Sequence, residues 1–193
     1  MNISPTDTPY VVSTSRLDNV PTADKLKELK VSAVIVEVSD YYDSVTHQQS
    51  RYPVNTNLSK QIQYLTSNDI PYGVYFKLRS RTQKEVEAEV KYFLDTIKPY
   101  SVEVGVWVQL HLYNKNSVEL NNGIIDKCKD LLVQAKYKNQ LGLYCEVDQL
   151  KLFDWTAHST DWLLWIQNHF NVDAELNSLL NDGVVPRNFF KVI

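Results

Sequence analysis

Apolar runs and amphipathic stretches alternate along the whole chain. The β-branched run AVIVEVS at 33–39 predicts a buried strand, and Leu58, Ile62 and Leu65 follow it at helical spacing. A capping box at Thr82 and Glu85 opens a further helix that runs to Pro99. The remaining predicted strands lie at 10–13, 73–78, 105–112, 141–145 and 161–167. The remaining predicted helices lie around 26–29, 123–137, 150–153 and 176–180.

Continuous apolar strands that alternate with helices indicate a parallel sheet covered by helices. The predicted fold is α/β, a single (β/α)8-like barrel of the TIM type over 1–193. Such barrels normally take about 250 residues, so a chain of 193 residues predicts a trimmed version. The connections after residue 139 are short, so we expect few helices in the C-terminal half. A doubly wound open sheet is the competing architecture.

Composition removes several function classes. The formal net charge of −3 argues against a nucleic-acid binder driven by counterion release. The chain has 4 Trp, 12 Tyr and 6 Phe, which is ample apolar area for an ordered core. No apolar run approaches the about 20 residues of a membrane span, and the first ten residues show no secretory signal. We therefore expect a soluble protein, either cytoplasmic or part of a virion.

The sequence contains no recognisable cofactor or metal motif. The five glycines are isolated, so no phosphate-binding loop is predicted, and the four histidines lack the spacing of a zinc site. Cys128 and Cys145 are expected to be packed thiols rather than a disulfide or a metal pair. The sequence predicts neither a cofactor nor a metal.

Polar residues at the carboxyl end of one predicted strand require an explanation. Gln109 and His111 stand two residues apart, so both side chains should point to the same face, into the barrel or its mouth. Polar groups there are unfavourable unless they have partners. They form either a hydrogen-bonded pair in the barrel interior or the floor of a ligand site.

Most of the chain resembles one family of enzymes, the glycoside hydrolase family 25 lysozymes. The segments that carry the resemblance are AVIVEVSD, NTNLSKQIQYLTSNDI, IPYGVYFKL and TQKEVEAEVKYFLDTI, followed by GVWVQLHL, LGLYCEVDQL, DWLLWIQNHF and GVVPRNFF. They keep the order of the family's strands and helices, including its "GiPvGaYhF" and "lWiAqY" segments. The resemblance implies the trimmed barrel, and peptidoglycan as the substrate class.

The family's catalytic carboxylates have no counterpart at the matching positions. Val11 or Val12 stands where the resemblance places the first aspartate, and Gln109 and His111 replace the family's Asp-x-Glu pair. Glycoside hydrolysis needs a proton donor and a group that stabilises the oxocarbenium ion, and glutamine supplies neither. Histidine is an acid with an unperturbed pKa of about 6.5, but without an anionic partner His111 would raise the cost of the developing positive charge. The sequence therefore predicts an inactive domain with a structural or glycan-binding role, associated with a phage or prophage.

Two alternatives stay open. The first is an active muramidase whose acids have moved to other strand ends, with Asp40, Asp43 and Glu146 as candidates. The second is an unrelated α/β protein that shares only the strand–helix rhythm.

Aromatic residues near strand ends are candidates for stacking on sugar rings. The candidates are Trp107, Tyr113, Tyr144 and Trp162, and each of them could instead belong to the core. The expected partners are peptidoglycan or another glycan and, in a virion, other virion proteins or a second copy of the chain. Neither nucleic acid nor membrane is an expected partner.

Overall fold

The computed structural model describes residues 10–15, 19–39, 42–43, 48–49, 55–137 and 141–167. The strands are β1 (Tyr10–Thr14), β2 (Val31–Ser39), β3 (Tyr42–Asp43), β4 (Gln48–Gln49), β5 (Tyr72–Leu78), β6 (Val106–Leu110), β7 (Leu141–Glu146) and β8 (Leu163–Gln167). The helices are α1 (Ala23–Glu28), α2 (Leu58–Ser67), α3 (Gln83–Ile97), α4 (Val118–Gln134), the 3-10 helix Val147–Leu152 and α5 (Trp155–His158).

Six of the strands form one parallel sheet in the order β1-β2-β5-β6-β7-β8. The sheet curls into a partial barrel with helices on its outside, so the predicted trimmed α/β barrel is confirmed. Between β7 and β8 the chain forms only the 3-10 helix and the four-residue α5. The expected reduction of helices in the C-terminal half is confirmed for this connection.

The side chains of the sheet divide between two faces. The outer face, which packs against the helices, is formed by Val34, Val36, Val74, Phe76, Val106, Val108, Leu141 and Leu143. The inner face is formed by Ile35, Glu37, Tyr75, Lys77, Trp107, Gln109, Tyr144 and Trp165. Because side chains alternate along a strand, the two sets come from neighbouring positions of the same strands.

The main core lies between the outer face and the helices. Phe76 on β5 stacks on Phe93 of α3 with ring centroids 4.3 Å apart. Val86, Val90 and Ile97 extend the same buried side of α3, as the helical spacing predicted. Cys128 and Cys145 are free and buried in this core, which confirms that they are packed thiols.

The start of α3 agrees with the predicted capping box. The Thr82 hydroxyl accepts a hydrogen bond from the Glu85 N–H at 3.4 Å. The Glu85 carboxylate accepts from the Arg81 N–H at 2.6 Å, one residue before the cap. The local hydrogen bonds therefore fix both the first turn of α3 and the loop that enters it.

Several predicted boundaries differ from the structure. Helix α4 begins at Val118, where Ser117 caps it, because a capping serine outweighs the polar composition of its first turns. The short ribbon β3–β4 and helix α5 were not predicted, and β8 begins at Leu163. The predicted helix around 176–180 lies outside the described residues.

Candidate ligand-binding site

A carboxylate, a phenol and an amine meet on the inner face near the carboxyl ends of β2 and β5. Glu37 is buried, with 3% of its surface exposed. The Tyr75 hydroxyl donates to its Oε2 at 3.0 Å, and Lys77 Nζ lies 4.0 Å from its Oε1. The sequence analysis missed Glu37, although a lone charged residue inside an apolar parallel strand is a usable signal.

Buried amide groups fix the carboxyl end of β2. Asn55 Nδ2 donates to the carbonyl of Glu37 at 2.8 Å and to Oε1 of Gln61 at 2.6 Å. The Asn55 N–H in turn donates to the Val38 carbonyl at 3.0 Å. The backbone around Glu37 is therefore held from the α2 side of the sheet, and its side chain projects from the opposite face.

Aromatic rings fill the inner face beneath this cluster. Tyr144 stacks on Trp165 with centroids 4.2 Å apart, and Trp107 meets Trp165 edge to face at 5.9 Å. A Cβ on Gly142 would lie 2.1 Å from the Trp107 ring, so the indole needs a glycine beneath it. Burial raises the pKa of the Tyr144 hydroxyl well above its usual range. This layer is a packed interior with polar groups above it.

The structure gives Gln109 and His111 different surroundings. Gln109 is half-buried on the inner face, in register with Lys77 and Tyr144. Its Oε1 is buried and accepts no hydrogen bond from the described residues. His111 follows β6, is exposed, and lines a cavity among the loops. Gln109 therefore faces inward as predicted, and a floor shared with His111 stays a prediction.

That cavity lies where β5, β6 and β7 run into their following segments, and its volume is about 510 Å³. Its polar walls are Arg79, Arg81, His111, Tyr113, Asn114, Asp148 and Gln149. The Leu112 N–H donates to Gln149 Oε1 at 2.7 Å, which ties the loop after β6 to the 3-10 helix. Charged and hydrogen-bonding groups thus converge at the edge of the sheet where barrel enzymes carry their sites.

The loop after β5 is anchored by a buried carboxyl group on α3. Glu89 accepts hydrogen bonds from the Arg79 and Ser80 N–H groups and from the Ser80 hydroxyl. Burial raises the pKa of Glu89 to about 7, although these donors lower it in part. Sequence reasoning missed this residue, which lies on the apolar side of α3 together with Val86 and Phe93.

The candidates for relocated acids are only partly within the described residues. Glu146 ends β7, is exposed, and stands in register with Gln167. Asp40 lies outside the described residues, and for Asp43 only the backbone is described. The structure therefore adds Glu37 to these candidates.

The predicted sugar-stacking residues separate into three environments. Trp107 and Tyr144 are each 6% exposed within the inner aromatic layer. Tyr113 is half-buried in the cavity wall, with the Arg81 guanidinium 4.9 Å from its ring centroid. Trp162 precedes β8 and is buried in the main core, and a contact between this residue and a ligand stays a prediction.

Two further surveys were confined to the described residues. They contain no group of three or more His, Cys, Asp or Glu side chains that could hold a metal ion. None of their helices is long and apolar enough to cross a membrane.

Comparisons with known proteins bear on the fold. No family model matches the sequence, and no curated protein matches it. Solved structures do match. One of them is the modular autolysin LytC of Streptococcus pneumoniae in complex with a synthetic peptidoglycan ligand, which is 20% identical to this chain with a TM-score of 0.64. The match covers 83% of this chain and 38% of the LytC chain.

Two more structures show the same architecture. The modular Cpl-1 endolysin, complexed with a peptidoglycan analogue, is 18% identical with a TM-score of 0.64, covering 95% of this chain and 48% of its own. A family 25 glycosyl hydrolase from Bacillus anthracis is 13% identical with a TM-score of 0.67, covering 86% of this chain and 73% of its own. The chain thus has the fold of family 25 lysozymes and spans less than half of LytC and of Cpl-1.

Proposed function

We propose that this chain is a lysozyme-like domain that binds a glycan, with peptidoglycan as the ligand, and does not cleave it. The observation that carries the proposal is Gln109, which faces the interior of the partial barrel on β6. The resemblance places the first acid of the family's pair at this position. A side-chain amide can donate to and accept from a sugar, but it neither protonates a leaving oxygen nor balances an oxocarbenium charge.

Glycan binding is supported by the groups that remain at the carboxyl edge. Lys77 and Gln109 offer donors and an acceptor above the aromatic layer, and the neighbouring cavity adds guanidinium, phenol and amide groups. Sugars are recognised by such mixed sets of polar groups beside aromatic rings. The similar structures of LytC and Cpl-1 hold peptidoglycan ligands, which is why peptidoglycan is the first glycan to test.

A second candidate function is cleavage of peptidoglycan with Glu37 as a relocated acid. The observation that favours it is the burial of Glu37 on the inner face, with its Oε2 held by the Tyr75 hydroxyl. A carboxyl group that is shielded from water and oriented by a fixed donor suits general acid catalysis. Asp40, Glu146 or His111 would then have to supply the second group.

Sedimentation with purified Gram-positive peptidoglycan, followed by an assay for reducing sugar, tests both candidates. The proposal predicts that the protein sediments with the wall and releases no reducing sugar above a buffer blank from acidic to mildly alkaline pH. Failure to sediment would contradict glycan binding. Reducing sugar released by the wild-type protein would contradict inactivity.

Variants separate the sources of any turnover. Turnover that disappears in Glu37→Gln and persists in Glu28→Gln, a change of an exposed carboxylate on α1, would establish the second candidate. Loss in Asp40→Asn, Glu146→Gln or His111→Ala would identify the partner group. Restoring the family's pair with Gln109→Asp and His111→Glu should not rescue cleavage, because catalytic groups act as a unit and the first-strand aspartate is also absent.

The biological setting we propose is a phage or prophage, where the domain serves as a structural or wall-binding part of a virion. The resemblance of the fold to endolysins and the replaced acid pair support this setting. Mass spectrometry of purified virions from the source strain would detect the chain if it is a virion component. Its absence from virions would leave a wall-directed role outside the particle.

A further inference from the structure

The connection between β7 and β8, residues 147–162, is attached to α4 by two adjacent asparagines. Asn121 Nδ2 donates to the Leu152 carbonyl at 2.8 Å, at the end of the 3-10 helix. Asn122 Oδ1 accepts from the Asp154 N–H at 2.9 Å, directly before α5. Both asparagines lie in the first two turns of α4, so the polar start of this helix holds the connection in place.

A buried histidine at the end of α5 completes this attachment. His158 is 1% exposed, and its Nε2 lies 3.3 Å from Asn122 Oδ1. The bond from the Asp154 N–H identifies that atom as the amide oxygen, so Nε2 carries the hydrogen and donates it. The His158 carbonyl accepts from the Asp161 and Trp162 N–H groups at 3.1 and 3.2 Å, in the turn that leads into β8.

The other ring nitrogen of His158 disfavours protonation. Nδ1 is buried and makes no hydrogen bond with the described residues. Asp126 Oδ1 lies 3.5 Å from it, but Lys129 Nζ lies 3.8 Å from the same oxygen and competes for its charge. The Phe153 ring lies on another side, with its centroid 6.1 Å from that of the imidazole. A second proton on the ring would therefore place a positive charge in a site from which water is excluded.

Charged groups face His158 from α4 and from both ends of α5. Asp126 and Lys129 belong to α4, whereas Asp154 precedes α5 and Asp161 follows it. Lys129 Nζ lies 2.9 Å from Asp161, and the Asp154 side chain caps α5, so these carboxylates already bind other groups. Burial consequently lowers the pKa of His158 from its ordinary value of 6.5, although the three carboxylates raise it in part.

We propose that neutral His158 holds the β7–β8 connection against α4, and that protonation of its ring on acidification opens this connection while the sheet stays folded. The 3-10 helix of the connection contributes Asp148 and Gln149 to the wall of the cavity. Gln149 Oε1 also accepts from the Leu112 N–H at 2.7 Å. Opening therefore removes one wall of the cavity, whatever the cavity binds.

The direction of the effect follows from proton linkage. The open connection exposes an ordinary histidine, whereas the attached one holds a histidine of lowered pKa, so the open form binds a proton more readily. The equilibrium constant for opening should be independent of pH well above 6.5. Below that value it should rise by up to about tenfold for each pH unit, and level off once the attached form is protonated as well.

Amide hydrogen exchange followed by NMR, and corrected for the intrinsic exchange rate at each pH, measures this opening. The protection of the Asp154, Trp162 and Leu112 amides should fall as the pH drops from about 7.5 to about 5. These amides donate to Asn122, to His158 and to Gln149, and all three hydrogen bonds depend on the attached connection. Constant protection of these amides over this pH range would overturn the proposal.

An amide of the sheet distinguishes local opening from global unfolding. The Val74 N–H donates to the Gly105 carbonyl at 3.0 Å on an inner strand, so it exchanges through global unfolding. His158 and Glu89 act on global unfolding in opposite directions, because burial raises the pKa of Glu89 to about 7 and its contribution to stability grows on acidification. Val74 should therefore lose less protection than Asp154. Equal losses at the two amides would overturn the proposal, since the connection would then open only together with the sheet.

His158→Gln is the matched variant, because a glutamine amide can donate to Asn122 Oδ1 and does not titrate. The connection of this variant should keep the same protection at every pH tested. His111→Gln replaces an exposed histidine of the cavity wall and should keep the wild-type pH dependence. A pH dependence that persists in His158→Gln, or one that disappears in His111→Gln, would overturn the proposal.

A measurement on the wild-type protein keeps the test decisive if His158→Gln fails to fold. Nitrogen chemical shifts of the His158 ring identify its tautomer and the midpoint of its titration. We expect the Nε2–H tautomer at neutral pH and a midpoint below 6.5, at the pH where the protection of Asp154 levels off. A midpoint at or above 6.5 would overturn the proposal.

Discussion

The two faces of the sheet differ in composition although they come from the same strands. On the outer face, Val36, Phe76 and Val108 are fully buried against the helices. On the inner face, Glu37, Lys77 and Gln109 occupy positions next to them in the chain. Apolar burial at about 25 cal/mol per Å² stabilises the first set, whereas polar groups in the second set need partners to be tolerated.

This difference separates what maintains the fold from what sets the chemistry. The similar lysozyme structures are 13–20% identical to this chain, yet their architecture is shared. An apolar outer face tolerates many substitutions that keep volume and pattern. The inner face can therefore exchange acids for amides without loss of the barrel, because function resides in particular side chains and not in the fold.

The largest expected effect on stability concerns the outer face of the sheet. Phe93→Ala removes the ring that stacks on Phe76 and should lower the free energy of unfolding by about 3–5 kcal/mol. Urea denaturation followed by circular dichroism measures it. Lys91→Ala, an exposed change on the same helix, should stay within about 0.5 kcal/mol of the wild-type protein. A loss below about 1 kcal/mol in Phe93→Ala would contradict the role assigned to the outer face.

The second effect concerns Glu89, a carboxyl group buried on the helical side. Burial raises its pKa from an ordinary value of 4.5 to about 7, so the folded protein binds more protons than the unfolded chain between these values. The contribution of Glu89 to stability should be greatest below pH 4.5, fall by about 3 kcal/mol as the pH rises to 7, and then level off.

Urea denaturation across this pH range checks the Glu89 prediction. Glu89→Gln keeps an acceptor for the Ser80 N–H and should flatten the pH dependence. Asp95→Asn removes an exposed carboxylate from the same helix and should keep the wild-type slope. The same pH dependence in the wild-type protein and in Glu89→Gln would contradict the raised pKa of Glu89.

The smallest effect tests the inner face. Gln109→Leu removes a buried Oε1 that accepts no hydrogen bond from the described residues, so the free energy of unfolding should stay constant or rise by up to about 1 kcal/mol. Gln61→Leu is the matched control, because Gln61 accepts from Asn55 at 2.6 Å and donates to the Ser15 carbonyl at 3.1 Å. That variant should lose about 1–3 kcal/mol. Equal losses in both variants would show that Gln109 is as firmly bonded as Gln61.

The sequence predicted those helices and strands whose apolar residues recur at a regular spacing. Strand β2 and helix α3 follow directly from apolar runs and caps, since burial on the outer face imposes both patterns. The start of α4 was missed because its first turns are polar, and α5 because four residues carry too short a period. To predict roles for Glu37 and Glu89, one must know which face of the sheet or helix each residue occupies. Only the packed structure provides this information.

The residues predicted for the site show the same limit. Gln109 faces inward because strand alternation is a local rule, whereas the cavity around His111 depends on three loops that meet only in the folded chain. Arg79 and Arg81 gave no signal in the sequence, because isolated arginines after a strand are ordinary surface residues.

The strand order has a consequence for how the chain folds during its synthesis. Each strand of the six-stranded sheet pairs with the one that precedes it in that sheet along the chain. Emerging from the ribosome, the polypeptide can therefore add one strand–helix unit at a time to an edge that is already formed. A nascent chain paused after β6 already holds four adjacent strands, and β7 then adds at the β6 edge.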